Sequence, residues 1–322
     1  GTYERTLCGW DLSEDSKLTP IFNHPAHLGP IKAVAISGKF LVSGGSDEEI
    51  RIFHSRKRTE IGSLMRHQGP ITCLQFYRGS HLISGSDDNS LCVWRTKDWE
   101  CLSILKGHTG GIVDLDVHHT GKVLLSGARD NTVRLWDLSR GRSLYTRKQP
   151  PPPRFMPGGI TSVQWIPGGE GYCCALANMI NCYGTESEDA YLTITGEKQI
   201  LCTAWVSEHV VAAGGEDKFV TLWDIRSGKS TGSLPAHTSR VRAIEVDEKT
   251  QSLVSCSSDG DIHVHALAKV QTVADKEDVK ARITCLAVPV GQGARWRGQA
   301  AAEEEEAEDE EKEDAEEEDE DE

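Results

Sequence analysis

No run of eighteen apolar residues occurs in this chain, and its first residues show no signal-peptide pattern. The expectation is a protein that neither crosses a membrane by a helix nor is secreted. No C-x-x-C pair occurs among the ten cysteines, and the vicinal Cys173–Cys174 lacks the spacing of a two-ligand zinc clamp. Cys73, Cys202 and Cys285 recur instead at equivalent points of repeated segments, and Cys92 and Cys182 lie just before a closing aromatic. That placement suits small apolar core residues of a reduced, intracellular protein. A long basic stripe with interleaved aromatics is also lacking, which disfavours direct sequence reading of nucleic acid.

Charge is present in excess, but in one place. Of the net −15, residues Glu303 to Glu322 supply −16, with 17 acids and the single Lys312, so residues 1–302 sit near +1. The composition of that segment predicts a disordered, self-repelling tail over 291–322, with basic proteins as its natural partners and salt-sensitive binding.

The chain is organised by a repeat. Asp47, Asp88, Asp130, Asp217 and Asp259 each stand six residues before Phe53, Trp94, Trp136, Trp223 and His265. Successive intervals are 41, 42, 87 and 42, the third being two periods with one aspartate missing. A period of about 40–45 residues with a Trp-Asp ending marks stacked four-stranded blades. The predicted fold is all-β, a seven-bladed WD-repeat β-propeller over residues 1–290 followed by the acidic tail.

The fullest unit runs from His67 to Lys106. Runs rich in Val, Ile, Leu and aromatics, such as Ile71 to Phe76 and Leu91 to Trp94, are punctuated by turn residues at Tyr77 to Ser80 and Gly85 to Asn89. Blade four is degraded, with Ala177 at the Asp position and Tyr183 at the Trp position, and the Pro150 to Pro153 run before it reads as an inserted loop. The seventh blade is expected to be divided between residues 1–23 and 281–290. Ile283-Thr-Cys-Leu286 repeats Ile71-Thr-Cys-Leu74, and Trp10-Asp11 closes a strand at the other end. The strand between them is expected upstream of Gly1. Pairing of the two ends then closes the ring and hides its edges.

Within a full unit four side chains should meet in a hydrogen-bonded chain: His67, Ser84, Asp88 and Trp94 in one unit, and His108, Ser126, Asp130 and Trp136 in the next. His27, Ser43 and Asp47 end on Phe53, His237, Ser255 and Asp259 end on His265, and Asp217 with Trp223 has Ala213 in place of the serine. His, Ser and Asp together evoke a hydrolase triad. Architecture needs many copies whereas catalysis needs one, so the reading is structural and no catalytic residue, cofactor or metal is assigned. A propeller-cleft hydrolase is the rival from another class.

Other candidates read as scaffold. His263 and His265 alternate on one strand face, but His265 fills the indole slot, which favours packed imidazoles over metal ligands. His118–His119 reads as a solvated surface turn. Gly168 to Gly171 is a turn with no helix after it, hence no phosphate cradle. Arg56-Lys57-Arg58 reads as a solvated loop. Propellers bind over the channel mouth, where loops lead into each first strand; here those loops carry Gln68, Thr109, Thr238, Ser239 and Arg240, varied enough to recognise a protein or peptide.

His67-Gln-Gly-Pro-Ile-Thr-Cys-Leu-Gln-Phe76, His81-Leu-Ile-Ser-Gly-Ser-Asp-Asp88, Lys97-Asp-Trp-Glu-Cys-Leu102 and Ala281-Arg-Ile-Thr-Cys-Leu286 together resemble the p21-activated kinase-interacting protein 1 family of WD-repeat proteins, over roughly residues 1–290. The resemblance implies a nuclear, nucleolar factor for building the large ribosomal subunit, with pre-ribosomal proteins as partners. It also implies a negative regulator that binds the N-terminal regulatory region of p21-activated kinases, without catalysis of its own. A cytoplasmic signalling adaptor without a ribosome role is the rival within the same class. The family pattern includes a lysine-rich C-terminal extension, whereas this chain ends in acid at Glu322.

Overall fold

Short runs rich in Val, Ile, Leu and aromatics, broken every few residues by Gly, Asn and Asp, yield short antiparallel strands joined by tight turns. The computed structural model describes residues 1–12, 17–151, 158–185, 189–234, 237–247, 249–267 and 275–289. The acidic tail and Pro152–Pro153 lie outside the described residues. Among the described residues there are strands and no α-helix.

β1 (Thr6–Leu12) and β2 (Leu18–Pro25) pair as a two-stranded sheet. Six four-stranded meanders follow. The first blade is β3 (Ile31–Ser37), β4 (Phe40–Gly45), β5 (Ile50–His54) and β6 (Thr59–Leu64). The second is β7 (Ile71–Tyr77), β8 (His81–Ser86), β9 (Ser90–Arg95) and β10 (Cys101–Lys106). The third is β11 (Ile112–Val117), β12 (Val123–Ala128), β13 (Thr132–Asp137) and β14 (Arg142–Lys148). The fourth is β15 (Ile160–Trp165), β16 (Gly171–Leu176), β17 (Met179–Gly184) and β18 (Ala190–Thr195). The fifth is β19 (Ile200–Trp205), β20 (Val210–Gly215), β21 (Val220–Asp224) and β22 (Lys229–Leu234). The sixth is β23 (Val241–Asp247), β24 (Ser252–Ser257), β25 (Asp261–Ala266) and β26 (Asp275–Asp278).

Every inner strand slips register at the same point, between its first and third residues: Ile31/Ala33, Ile71/Cys73, Ile112/Asp114, Ile160/Ser162, Ile200/Cys202 and Val241/Ala243. A bulge there adds local twist, which bends each inner strand in the same way. Blades then pack face to face through buried apolar residues. The second and third share a cluster around Ile83, Leu91, Ile112, Leu124 and Trp136. The same arrangement recurs between the first and second around Ile52 and Leu82, and between the fourth and fifth around Ile180 and Val211. Close approach requires glycine: a Cβ on Gly127 would stand 2.8 Å from Ile160 Cγ2 and from Val163 Cγ1 of the next blade.

The expectation of seven blades is corrected. The described residues hold six four-stranded blades, and the sector between the sixth and the first contains only β1, β2 and an isolated bridge between Thr2 and Ile283. Gly1 to Tyr3 lie beside the inner segment Arg282 to Cys285, joined by Gly1 N to Cys285 O at 3.0 Å and Tyr3 N to Arg282 O at 2.8 Å, and Arg282 N donates to Glu4 Oε2 at 3.0 Å. β2 also runs to Pro25, past the expected limit at residue 23.

That sector nevertheless joins its neighbours. Leu7, Ala26 and Cys285 share a core with Ile31 and Phe53 of the first blade. Trp10, Leu12, Leu18 and Ile283 pack with Val254, Cys256 and Val264 of the sixth. Thr284 Oγ1 completes the junction by donating to Ile31 O at 2.6 Å.

Candidate protein interface

Because successive strands run antiparallel, the loops entering the inner strands and the turns between second and third strands lie at one end of the ring. The repeated histidine comes from such a loop and the repeated aspartate from such a turn. In the second blade, Trp94 Nε1 donates to Ser84 Oγ at 2.9 Å, Ser84 Oγ meets His67 Nε2 at 2.8 Å, and His67 Nδ1 meets Asp88 Oδ2 at 3.0 Å. The third blade repeats this with Trp136, Ser126, His108 and Asp130 at 2.8, 2.8 and 3.1 Å. All eight expected residues are therefore brought together as two sets of four.

The aspartate also shapes the rim. Asp88 Oδ2 accepts from Gln68 N at 2.9 Å and Asp130 Oδ2 from Thr109 N at 2.8 Å, so each carboxylate holds the first loop residue after the histidine. Burial raises the Asp130 carboxyl, but hydrogen bonds from Thr132, the Thr109 N–H and His108 outweigh it and hold the group at about 2. Burial lowers the His67 and His108 imidazoles against the pull of their aspartates. A neutral ring with its proton on Nδ1 donates to the carboxylate and accepts from serine at Nε2, so every group is satisfied. The serine oxygens are bonded to both indole and imidazole beneath the surface, fully buried. This arrangement braces loops, which accounts for its repetition.

Variants of the set follow their sequence. His27 bonds Ser43 and Asp47 at 2.8 and 2.9 Å, with Phe53 packed where the indole would be. Where Ala213 replaces the serine and no histidine precedes the strand, burial raises Asp217. In the fourth blade the turn is only Ala177–Asn178, one residue shorter than Asp87 to Asn89, so the repeated carboxylate has no place. Arg147 and Gln149 fill the gap: Arg147 Nη1 donates to Tyr172 Oη at 2.8 Å, and Tyr183 Oη donates to Gln149 Oε1 at 2.7 Å. His118–His119 departs from its expected solvated state. Both are half-buried, and the His118 ring meets Trp165 edge-on at 4.8 Å.

At the rim, Gln68, Thr109 and Thr238 are exposed, while Ser239 and Arg240 are half-buried. Thr238 Oγ1 bonds Asp259, and Ser239 Oγ meets Ser258 Oγ at 3.0 Å, so these two are partly engaged within the sixth blade. Sequence reasoning missed Leu28, which occupies the Gln68 and Thr109 position and is 77% exposed. Its N–H bonds Asp47 Oδ2 at 2.8 Å, and that alignment behind His27 was the available signal. Also missed was a cluster of cations. Burial, then the charges of Arg240 and Arg282, lowers the Arg242 guanidinium. Arg282 lies over the exposed ring of Tyr3, 5.1 Å from its centre.

The WD domain, G-beta repeat, matches residues 18–54, 58–95, 99–137 and 228–265. A Gallus gallus protein, "p21-activated protein kinase-interacting protein 1-like", is 34% identical over 317 residues, covering 95% of this chain and 84% of its own length. The Homo sapiens "p21-activated protein kinase-interacting protein 1" is 33% identical over 304 residues, covering 89% of this chain and 76% of its own. "Protein MAK11" of Saccharomyces cerevisiae is 29% identical over 320 residues, covering 86% and 76%.

Proposed function

This chain belongs to the p21-activated protein kinase-interacting protein 1 family of WD-repeat proteins, and on that premise we propose that it is a non-catalytic docking scaffold with two duties. One is to bind the N-terminal regulatory region of p21-activated kinases and restrain their activation. The other is to serve nucleolar assembly of the large ribosomal subunit. The observation that carries the scaffold reading is the repetition of a satisfied His-Ser-Asp set beneath a rim that differs from blade to blade. Ser43, Ser84 and Ser126 are fully buried, so a substrate has no access to their hydroxyls. The kinase duty is supported by the names of two relatives. The ribosomal duty is supported by the sequence resemblance and by a polyanionic segment suited to basic ribosomal proteins.

The domains are assigned as a propeller over 1–290 and an acidic interaction tail over 291–322. Gln68, Thr109, Thr238, Ser239 and Arg240, joined by Leu28 and Arg242, form the contact rim. Replacing Gln68, Thr109 and Arg240 together by alanine should weaken capture of a kinase regulatory fragment at least about tenfold, a loss of roughly 1.4 kcal/mol, with melting unchanged. Full retention of binding would remove the rim assignment. Depletion from cells should cause large-subunit rRNA precursors to accumulate. Normal precursor processing, with the tagged chain confined to cytoplasm, would replace the ribosomal duty by a signalling adaptor.

A further inference from the structure

The sixth blade departs from its sisters at three positions that lie together. His263 pairs with Ser255 in the register where sister blades pair Arg51 with Ser43, Cys92 with Ser84 and Arg134 with Ser126. His265 pairs with Leu253 where Trp94 pairs with Leu82 and Trp136 with Leu124. Asp261 stands where the second and third blades have Ser90 and Thr132, whose hydroxyls lie 3.3 and 3.2 Å from the Nδ1 of His67 and His108.

The consequence falls on His237. Its Nε2 keeps the usual contact with Ser255 Oγ at 2.8 Å. Its Nδ1, which in three sister blades meets the turn aspartate, makes no hydrogen bond among the described residues. Asp259 is taken instead by the hydroxyls of Thr238 and Ser257. His237, Asp261 and His263 place one ligating atom each within 4.8 Å of one another. Their exposures are 3%, 8% and 4%, and the two rings stack at 3.9 Å with 13° between planes.

We propose that His237, Asp261 and His263 form a binding site for a first-row divalent cation of borderline softness, Zn²⁺ foremost. Two imidazoles and one carboxylate are the donors zinc prefers, while calcium needs six or more oxygens and magnesium an octahedron of them. A tetrahedral ion with bonds of about 2.0 Å needs its ligand atoms roughly 3.3 Å apart. Two stacked rings cannot both aim in-plane lone pairs at one ion, so binding turns the His263 ring about its Cβ–Cγ bond and contracts the cluster. The ion then ties the loop before β23 to β25, in the blade that packs against Trp10, Leu12 and Leu18 of β1 and β2.

The sister blades supply a test that preserves folding. Asp261→Thr with His263→Arg installs residues already carried at those positions by the third blade. Tag-free full-length chain, stripped with chelator, would be titrated with Co²⁺, whose visible absorption reports its ligands, and then with Zn²⁺ against a chromophoric chelator. The expected result is one Co²⁺ per chain, displaced by Zn²⁺, with a rise in melting temperature of several degrees. The double variant should bind at least about 100-fold more weakly, by loss of two of three ligands, while keeping the wild-type circular dichroism. Absence of one-to-one Zn²⁺ binding at micromolar concentration would overturn the site. So would undiminished binding by the double variant, which would assign the ion to the acidic tail or to surface histidines.

Discussion

Arg147 lays its guanidinium 4.3 Å from the ring centre of Tyr183. The same group lies 5.5 Å from the ring of Tyr172 and donates to its hydroxyl, so one buried cation replaces the hydrogen-bonded set that the fourth blade has lost. Arg147→Ala should therefore destabilise the chain by about 2–4 kcal/mol, combining a desolvated cation–π contact with an orphaned hydroxyl. Arg147→Lys should recover less than half of that, since an ammonium lacks the planar face. Urea unfolding of the two variants checks both figures.

Asp88 and Asp130 should behave alike because they occupy equivalent turns. Replacing either by alanine leaves a buried imidazole and a loop N–H without their acceptor, at a cost of about 1–3 kcal/mol. Folding holds both carboxyls below their ordinary range, Asp130 at about 2, and hydrogen bonding outweighs burial in each. Their contribution is thus fully present above the unfolded value near 4 and is lost as pH falls through the folded values. Melting curves between pH 5 and pH 2 should be shallower for Asp130→Ala than for the parent.

Asp114 should show the opposite slope. It reaches from β11 to accept from Val163 N at 2.9 Å in the fourth blade, and burial raises its carboxyl to about 7 despite that bond. A carboxyl raised on folding contributes most below its unfolded value, and that contribution is lost as pH rises through about 7. Asp114→Asn, which keeps an acceptor and cannot ionise, should flatten the fall in melting temperature between pH 5 and pH 8. An unchanged slope would show that another group controls it.

Gly127 tests the packing between blades. A valine there must displace Ile160 and Val163, and overpacking of this kind costs about 1–3 kcal/mol or more. Gly62, with open space where its Cβ would stand, should accept alanine with little change in the urea midpoint. Equal effects at the two positions would contradict the packing account.

Much of the repeat was legible because each blade is built from local contacts. The residue after each repeated aspartate must adopt a left-handed conformation, as Glu48, Asn89, Asn131, Lys218 and Gly260 do, and the turn leaves a Gly, Asn and Asp signature. The four-residue hydrogen-bonded sets were legible for the same reason, since serine, aspartate and indole lie within ten residues of one another in the second and third blades. Blade count was not. Ile283-Thr-Cys-Leu286 spells an inner strand, yet among the described residues it makes only an isolated bridge, from Ile283 to Thr2.

The amino-acid order alone determined the repeating unit, its strand pattern and the braces beneath the rim, because these depend on side chains separated by a single turn or hairpin. Tertiary structure decided what no period contains. It joined Gly1 to Cys285 across 284 residues, set Asp114 of β11 against Val163 of the fourth blade, and enclosed His237, Asp261 and His263 together. Such groupings arise when neighbouring units dock and exclude water, and the energy that selects them lies in contacts between blades.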